Sequence, residues 1–264
     1  MSCLIEIERD GPIARLWLNR PEQHNALSPE LGAELVTALH GLAHEDRVRV
    51  VVLGGRGPSF CAGADIAAMK ASTTMTFDEN LAEAEKLAGM FAALADLPKP
   101  VVARVHGSVF GGGVGLTCAS DIAVSTDDAR FGLTEVRLGI LPAVIGPYVI
   151  RRLGDAFARE LMLTGERFDA QTALRVHMVQ HVVPAAALDA KVDERVEALL
   201  AGAPGAQRRI KMQLELFGDA IWDEFRAATP RVLAEVRSGE EARDGLTAFF
   251  EKRKPSWHVE RARA

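Results

Sequence analysis

Two glycine-rich segments carry the residue types best suited to chemistry. The first runs Ser59-Phe60-Cys61-Ala62-Gly63-Ala64-Asp65-Ile66. The second runs His106-Gly107-Ser108-Val109-Phe110-Gly111-Gly112-Gly113-Val114-Gly115-Leu116. Each follows a short apolar run, and the second leads directly into a helical pattern. The first turn of a helix has unpaired N–H donors and the positive end of the helix dipole. Glycine lets the backbone adopt positive φ and approach a ligand closely. Two such turns converging from neighbouring strands would aim two main-chain donors at one oxygen. That is the geometry of an oxyanion hole, in which the loss of one donor costs about 3–4 kcal/mol. The same glycines would equally serve tight turns and packing. Dinucleotide binding is not supported: the spacing is Gly-Gly-Gly-x-Gly rather than G-x-G-x-x-G, and no acidic residue ends a strand about 20 positions on.

The elements that must position these loops are legible from periodicity. Leu4, Ile5 and Ile7 alternate with Glu6 and Glu8, and Ile13, Leu16 and Leu18 follow Gly11-Pro12, which predicts a β-hairpin. Ser28-Pro29 reads as an N-cap with proline at the first helical position, followed by Leu31, Leu35, Leu39 and Leu42 at helical spacing. Val48 to Leu53, Val101 to Val105 and Ile122 to Val124 are apolar runs suited to strands buried on both faces. Helical segments over Phe77 to Ala95 and Gly112 to Ala119 separate them, an alternation that predicts an α/β fold with parallel pairing. From about Asp155 the pattern turns mostly helical: Ala156 to Thr164, Ala185 to Leu200, Gln207 to Phe217, and a last helix. Ahead of that helix, Ser238-Gly239-Glu240-Glu241 has the form of a capping box.

Composition sets the outer limits. The chain has 264 residues, 48% hydrophobic and 25% charged, enough for one large domain and unlike a disordered chain. A net charge of −5 lacks the basic footprint of a nucleic-acid binder. No apolar run approaches the roughly 20 residues that span a bilayer, and the N-terminus does not resemble a signal sequence. Cys3, Cys61 and Cys118 are odd in number and match no zinc pattern, so a reduced, cytoplasmic setting is expected. His40 with His44, and His177 with His181, are spaced for one face of a helix, but nothing else converges to make a metal site. A nucleophile elbow G-x-S-x-G is absent from the sequence.

Taken together, the motifs resemble the crotonase family of enoyl-CoA hydratases and isomerases over nearly the whole chain. The anchors are Asn19-Arg20-Pro21, Asn25-Ala26-Leu27, Phe60 to Ile66, Gly111-Gly112-Gly113 and Cys118 to Asp121. They continue through Ala129-Arg130-Phe131-Gly132, Glu135 to Pro142, Leu163-Thr164-Gly165 and Phe249 to Lys254. The resemblance implies an α/β, ClpP-like spiral of repeated ββα units over residues 1–200. Residues 201–264 would form a helical region that closes the CoA pocket and builds a homotrimer or a dimer of trimers. It implies an acyl-CoA substrate, with CoA part of that substrate and no separate cofactor or metal. The amides of Ala64 and Gly112 would hold the thioester oxygen. Ala62, Asp65 and Ile66 would contact CoA, and Phe249 and Lys252 match positions that a neighbouring subunit's C-terminus supplies, the lysine meeting the CoA phosphates; Gln23 and His24 lie in a loop that usually meets CoA but are not diagnostic types.

The resemblance also places acid–base chemistry. Hydratases of this family carry two glutamates. Here the first position is Gly115 and the second is Glu135. A lone glutamate in an apolar pocket should have a raised pKa, suited to proton exchange near neutrality. The segment from Glu135 to Val149 further resembles a bacterial subgroup acting on 3-methylglutaconyl-CoA and isohexenylglutaconyl-CoA, whose substrates carry a second carboxylate. Arg137, Arg151 and Arg152 are the nearby candidates to pair with it. Hydration of a 2,3-unsaturated acyl-CoA is the leading expectation. A Δ3-Δ2 isomerase using one glutamate, and a non-catalytic CoA-thioester-binding protein, are the alternatives.

Overall fold

The computed structural model describes residues 3–216 and 219–255. Strands β1 (Ile5–Asp10) and β2 (Ile13–Leu18) form the expected antiparallel hairpin, with Ile5 opposite Leu18. Helix α1 (Pro29–His44) starts at the expected cap, where the Ser28 hydroxyl accepts from the Leu31 amide at 3.2 Å. It buries Leu31, Leu35, Leu39 and Leu42, one residue per turn. Strand β3 (Val50–Gly55) is buried at every position. Helices α2 (Ile66–Ser72) and α3 (Phe77–Ala95) follow, then β4 (Val101–Val105), β5 (Ser108–Phe110) and α4 (Gly112–Ala119). Next come β6 (Ile122–Thr126), β7 (Arg130–Gly132), α5 (Gly146–Thr164), β8 (Arg167–Asp169), α6 (Ala170–Arg175) and β9 (His181–Val183). Helices α7 (Leu188–Leu200), α8 (Pro204–Leu216), α9 (Asp219–Arg237) and α10 (Glu240–Phe250) complete the chain.

The strands sort into two sheets. A large one has the order β1-β2-β3-β4-β6-β9, parallel from β2 onward, and a small one has the order β5-β7-β8. The sequences β4-β5-α4 and β6-β7-α5 repeat one plan: a strand in the large sheet, a three-residue strand in the small sheet, then a helix. The result is an α/β fold of repeated units with helices gathered at its C-terminal end, as the resemblance implies. Continuous apolar strands are the signature of a sheet covered on both faces, and here α1, α3 and α4 supply one cover while α7 supplies the other through Leu188, Val192 and Val196.

Several local expectations change. The expected segment Ala156 to Thr164 forms the second limb of α5; the non-helical Gly154 (φ 76°, ψ 163°) separates it from a first limb that begins at Gly146 and was not expected. The residues Ala185–Ala187 form a separate 3-10 turn before α7, and Phe217 lies outside the described residues. The expected capping box at Ser238 does not form. Gly239 is the N-cap of α10, and the Ser238 hydroxyl instead donates to the Ala234 carbonyl at 2.9 Å, closing the preceding helix. A true capping box sits at α3, where Thr76 Oγ1 accepts from the Glu79 amide at 3.3 Å and Glu79 Oε2 accepts from the Thr76 amide at 2.8 Å. His177 adopts a left-handed conformation (φ 62°) and His181 opens β9, so that pair shares no helix face.

Helix α3 carries Met90 and Phe91 into the core, so its start matters to the interior. Thr76→Ala should lower stability by about 1 kcal/mol, read as a reduced denaturant midpoint with an unchanged slope.

Candidate active site

The first glycine loop is held from below by a strap, residues 19–27. Asn25 is fully buried in a left-handed conformation (φ 55°). Its carboxamide donates to the carbonyls of Arg56 (2.9 Å) and Ser59 (2.7 Å) and accepts from the Arg20 amide (2.8 Å). The Ala62 amide donates to His24 O at 2.9 Å, the Leu27 amide to Gly63 O at 2.7 Å, and the Asp65 amide to Leu27 O at 3.1 Å. Asp65 then caps α2, its Oδ1 accepting from Ala67 (2.9 Å) and Ala68 (3.1 Å) while Oδ2 meets Arg20 at 3.0 Å. Burial opposes ionisation of Asp65, yet the α2 amides and the Arg20 guanidinium outweigh it and hold its pKa below the ordinary value.

The two loops are joined to each other by main-chain bonds. Cys61 pairs with Val109 as a parallel bridge: its amide donates to Ser108 O (3.2 Å) and its carbonyl accepts from Phe110 N (3.1 Å). Such closeness demands glycine. A Cβ on Gly113 would lie 2.2 Å from the Cys61 carbonyl oxygen, and one on Gly63 (φ 101°) would lie 2.9 Å from that of Phe110. The amides of Ala64 and of Gly112, the first residue of α4, have no acceptor among the described residues. Both residues line one cleft of about 1570 Å³.

Glu135 enters this cleft from the other side. Strand β7 pairs in parallel with β5, placing Gly132 beside Phe110, and the Gly111 amide donates to Gly132 O at 3.0 Å. The 3-10 turn Glu135–Leu138 follows three residues later. The Glu135 carboxylate reaches back to Gly111, with Oε1 only 3.1 Å from where a Cβ on that glycine would stand. Its Oε2 is buried and has no hydrogen-bond partner. Burial raises its pKa to about 7, against a smaller lowering by its own main-chain amide.

The place of the missing acid is not vacant. A Cβ on Gly115 would lie 2.4 Å from Ile145 Cγ2 and 2.8 Å from Phe91 Cε1, so those two side chains fill the position. Gly112 likewise packs under Leu27. Phe91, Ile145, Leu87 and Leu233 are cleft residues that sequence reasoning did not single out. The helical spacing of Leu87 and Phe91 was the available signal, but it fits core packing equally well.

The other expected residues divide. Ala62, Asp65, Ile66 and Phe249 line the cleft, with Ile66 and Phe249 59% and 46% exposed, whereas Lys252 is not among its lining residues. Of the three candidate arginines, only Arg137 lines the cleft. Arg151 donates to Leu214 O at 3.0 Å. Arg152 is spent on carbonyls at the end of α4, donating to Cys118 O (3.2 Å), Ser120 O and Asp121 O (3.3 Å). Cys61 and Cys118 are buried and their thiol pKa values are pushed up to about 12, which removes them as nucleophiles. No group of three or more His, Cys, Asp or Glu among the described residues is placed to hold a metal, and no described helix is long and apolar enough to cross a membrane.

Residues 8–260 match the family model for enoyl-CoA hydratase/isomerase. The chain belongs to that family. An enoyl-CoA hydratase structure from Shewanella pealeana aligns with a TM-score of 0.80 at 38% identity, covering 96% of each chain. The short-chain-enoyl-CoA hydratase of Clostridium acetobutylicum is 33% identical over 94% of this chain and 95% of its own length. The carnitinyl-CoA dehydratase of Proteus mirabilis is 31% identical over 97% of this chain and 99% of its own. This enoyl-CoA hydratase/isomerase family member is therefore an enzyme, and its activity is of that general type.

Two outcomes follow from the geometry. Gly113→Ala should unfold the protein or cost more than about 2 kcal/mol, because the obstructing atom is main chain; thermal denaturation beside the wild type measures it. Glu135→Gln should stabilise the fold at high pH. With the native pKa raised from 4.5 to about 7, the wild type loses stability as pH rises through that window and is level above it. The variant lacks this loss, so its advantage should be small near pH 4.5 and reach at most about 3 kcal/mol above pH 8.

Proposed function

We propose that this protein hydrates a 2,3-unsaturated acyl-CoA thioester with a single acid, Glu135. The observation that carries the reading is the Glu135 carboxyl, buried and with an unpartnered oxygen, against Gly111 in the cleft lined by both loops, whose Ala64 and Gly112 amides are free. The thioester carbonyl would accept from both amides. As water adds at C3, negative charge builds on that oxygen, where fixed donors stabilise the transition state more than the ground state. Glu135 passes its proton to C2 and regains one from the attacking water, so the acid is restored. A pKa of about 7 keeps both of its forms populated near neutrality.

The acyl group in this reading is of the 3-methylglutaconyl type, which rests on the likeness of Glu135 to Val149 to that subgroup. Ala62, Asp65, Ile66 and Phe249 are read as CoA contacts, and Lys252 as one supplied to a neighbouring copy. Residues 201–264 are read as the oligomer-forming region of a trimer or dimer of trimers, residues 1–200 as the catalytic core. Ile210 and Leu214, one turn apart on α8 and 54% and 63% exposed, suit such a contact.

A second reading has its own support. With Ile145 and Phe91 where another acid would stand, one carboxyl moving a proton between C4 and C2 would isomerise a 3-enoyl-CoA without adding water.

Loss of conjugated enoyl absorbance from 3-methylglutaconyl-CoA should be faster than from crotonyl-CoA. Glu135→Gln should cut kcat by about 100- to 10,000-fold while leaving the affinity for a saturated acyl-CoA within about twofold. Wild-type turnover in the variant would exclude both readings. Inert 2-enoyl-CoAs together with conversion of a 3-enoyl-CoA would select the isomerase.

A further inference from the structure

The cleft holds a guanidinium with no assigned use. Arg237 ends α9, is half-buried, lines the cleft, and has no hydrogen bond or ion pair among the described residues. The other cleft arginines differ. Arg20 is paired with Asp65, Arg253 with Asp244 and Glu251, and Arg167 stacks 5.0 Å from the Phe110 ring centre. Arg137 is exposed. Burial pulls the Arg237 pKa below the ordinary arginine value, and Glu83 is the one charge acting to raise it. Glu83 forms no ion pair with it; its Oε1 accepts from Lys86 Nζ at 2.7 Å.

The position of Arg237 relative to the reacting centre can be read along α3. Phe91 stands against both Gly112 and Gly115. Leu87 and Glu83 follow one and two turns back on the same face, and all three line the cleft. At about 1.5 Å per residue, Glu83 lies ~12 Å along the axis from Phe91. Arg237 stands one turn beyond Leu233 on α9, which packs against α3; both residues line the cleft, and Glu83 is close enough for its charge to act on Arg237. The lining contributed by α3 and α9 includes the apolar Leu87, Met90, Phe91 and Leu233 beside the Glu83–Lys86 pair. A cleft lined by residues with free amides and by a guanidinium without a hydrogen-bonded partner fits an acyl chain carrying an anion at its far end.

We propose that Arg237 is a specificity-determining residue that pairs with a distal carboxylate on the acyl group, so that the preferred substrates are thioesters of dicarboxylic acids. The planar guanidinium presents forked donors matched to a carboxylate, and the pairing would supply the hydrogen-bonded partner that the described residues do not. A cation in the last helical turn also favours the α9 dipole. That role calls for charge alone and is indifferent to the ligand, which separates the two experimentally.

The proposal rests on the cleft being an acyl-CoA site, but its test needs no turnover. Calorimetric binding of glutaryl-CoA against pentanoyl-CoA, and of suberyl-CoA against octanoyl-CoA, should show the wild type preferring the dicarboxylic member of at least one pair by about 10- to 100-fold. Arg237→Gln should erase that preference while changing the affinity for free CoA less than about twofold, and Arg237→Lys should keep part of it. No preference in the wild type overturns the proposal whether or not a variant folds. So does an equal loss in Arg237→Gln for dicarboxylic, monocarboxylic and free CoA, which would mark Arg237 as a phosphate contact or a structural group. A preserved preference in a protein that hydrates no enoyl-CoA would leave this inference standing and remove the hydratase reading.

Discussion

A single main-chain pairing organises the centre of this molecule: Cys61 and Val109, bridged as if by the shortest of parallel strands. Its two hydrogen bonds hold two turns that are nearly fifty residues apart in sequence. Because the pairing uses the Cys61 carbonyl and amide, the Ala64 amide just beyond it is left over, and the Gly112 amide is left over at the start of α4. Unpaired donors at a helix start are ordinary; here Gly112 at the start of α4 and Ala64 just ahead of the α2 cap line the same cleft. Glycine makes the approach possible, since the carbonyls of Cys61 and Phe110 sit where side chains on Gly113 and Gly63 would project.

The acid depends on a second pairing, that of β7 with β5. This register fixes where the chain leaves Gly132, and so where the turn at Glu135 can begin. The carboxyl arrives in a place that solvates it badly. Its raised pKa is therefore a consequence of position, caused by desolvation rather than by a neighbouring anion. Ile145 and Phe91, which fill the Gly115 position, line the same cleft as Glu135. A single acid with both protonation states accessible is a coherent arrangement for moving one proton between carbon and water.

The scaffold around the loops is polar where it must be rigid. Asn25 and Arg20 connect the strap, the end of β3 and the cap of α2 through carboxamide, guanidinium and carboxylate groups, with the Asn25 bonds directed largely at main chain. Such fully satisfied networks specify one geometry, because any alternative leaves buried polar atoms unpaired. The C-terminal helices bring different chemistry to the cleft, in Leu233, Arg237 and Phe249.

Much of this was written locally. Alternation at residues 4–18 gave the hairpin, leucines at helical spacing with Ser28-Pro29 gave α1, and unbroken valine runs gave the strands of the large sheet. Those signals are legible because they arise between residues a few positions apart. The glycine runs marked the two loops, and a resemblance of motifs marked Ala64, Gly112 and Glu135. The three-residue strands of the small sheet went unread, being too short for any period, and the cap at Ser238 was misread because its hydroxyl turned back to the helix before it. What fills the Gly115 position, which arginines are spent on main-chain carbonyls, and that Arg237 faces the cleft were decided only by tertiary structure. Each is a matter of distance between segments far apart in the chain, and such distances are set by how helices and sheets pack, which no local pattern encodes.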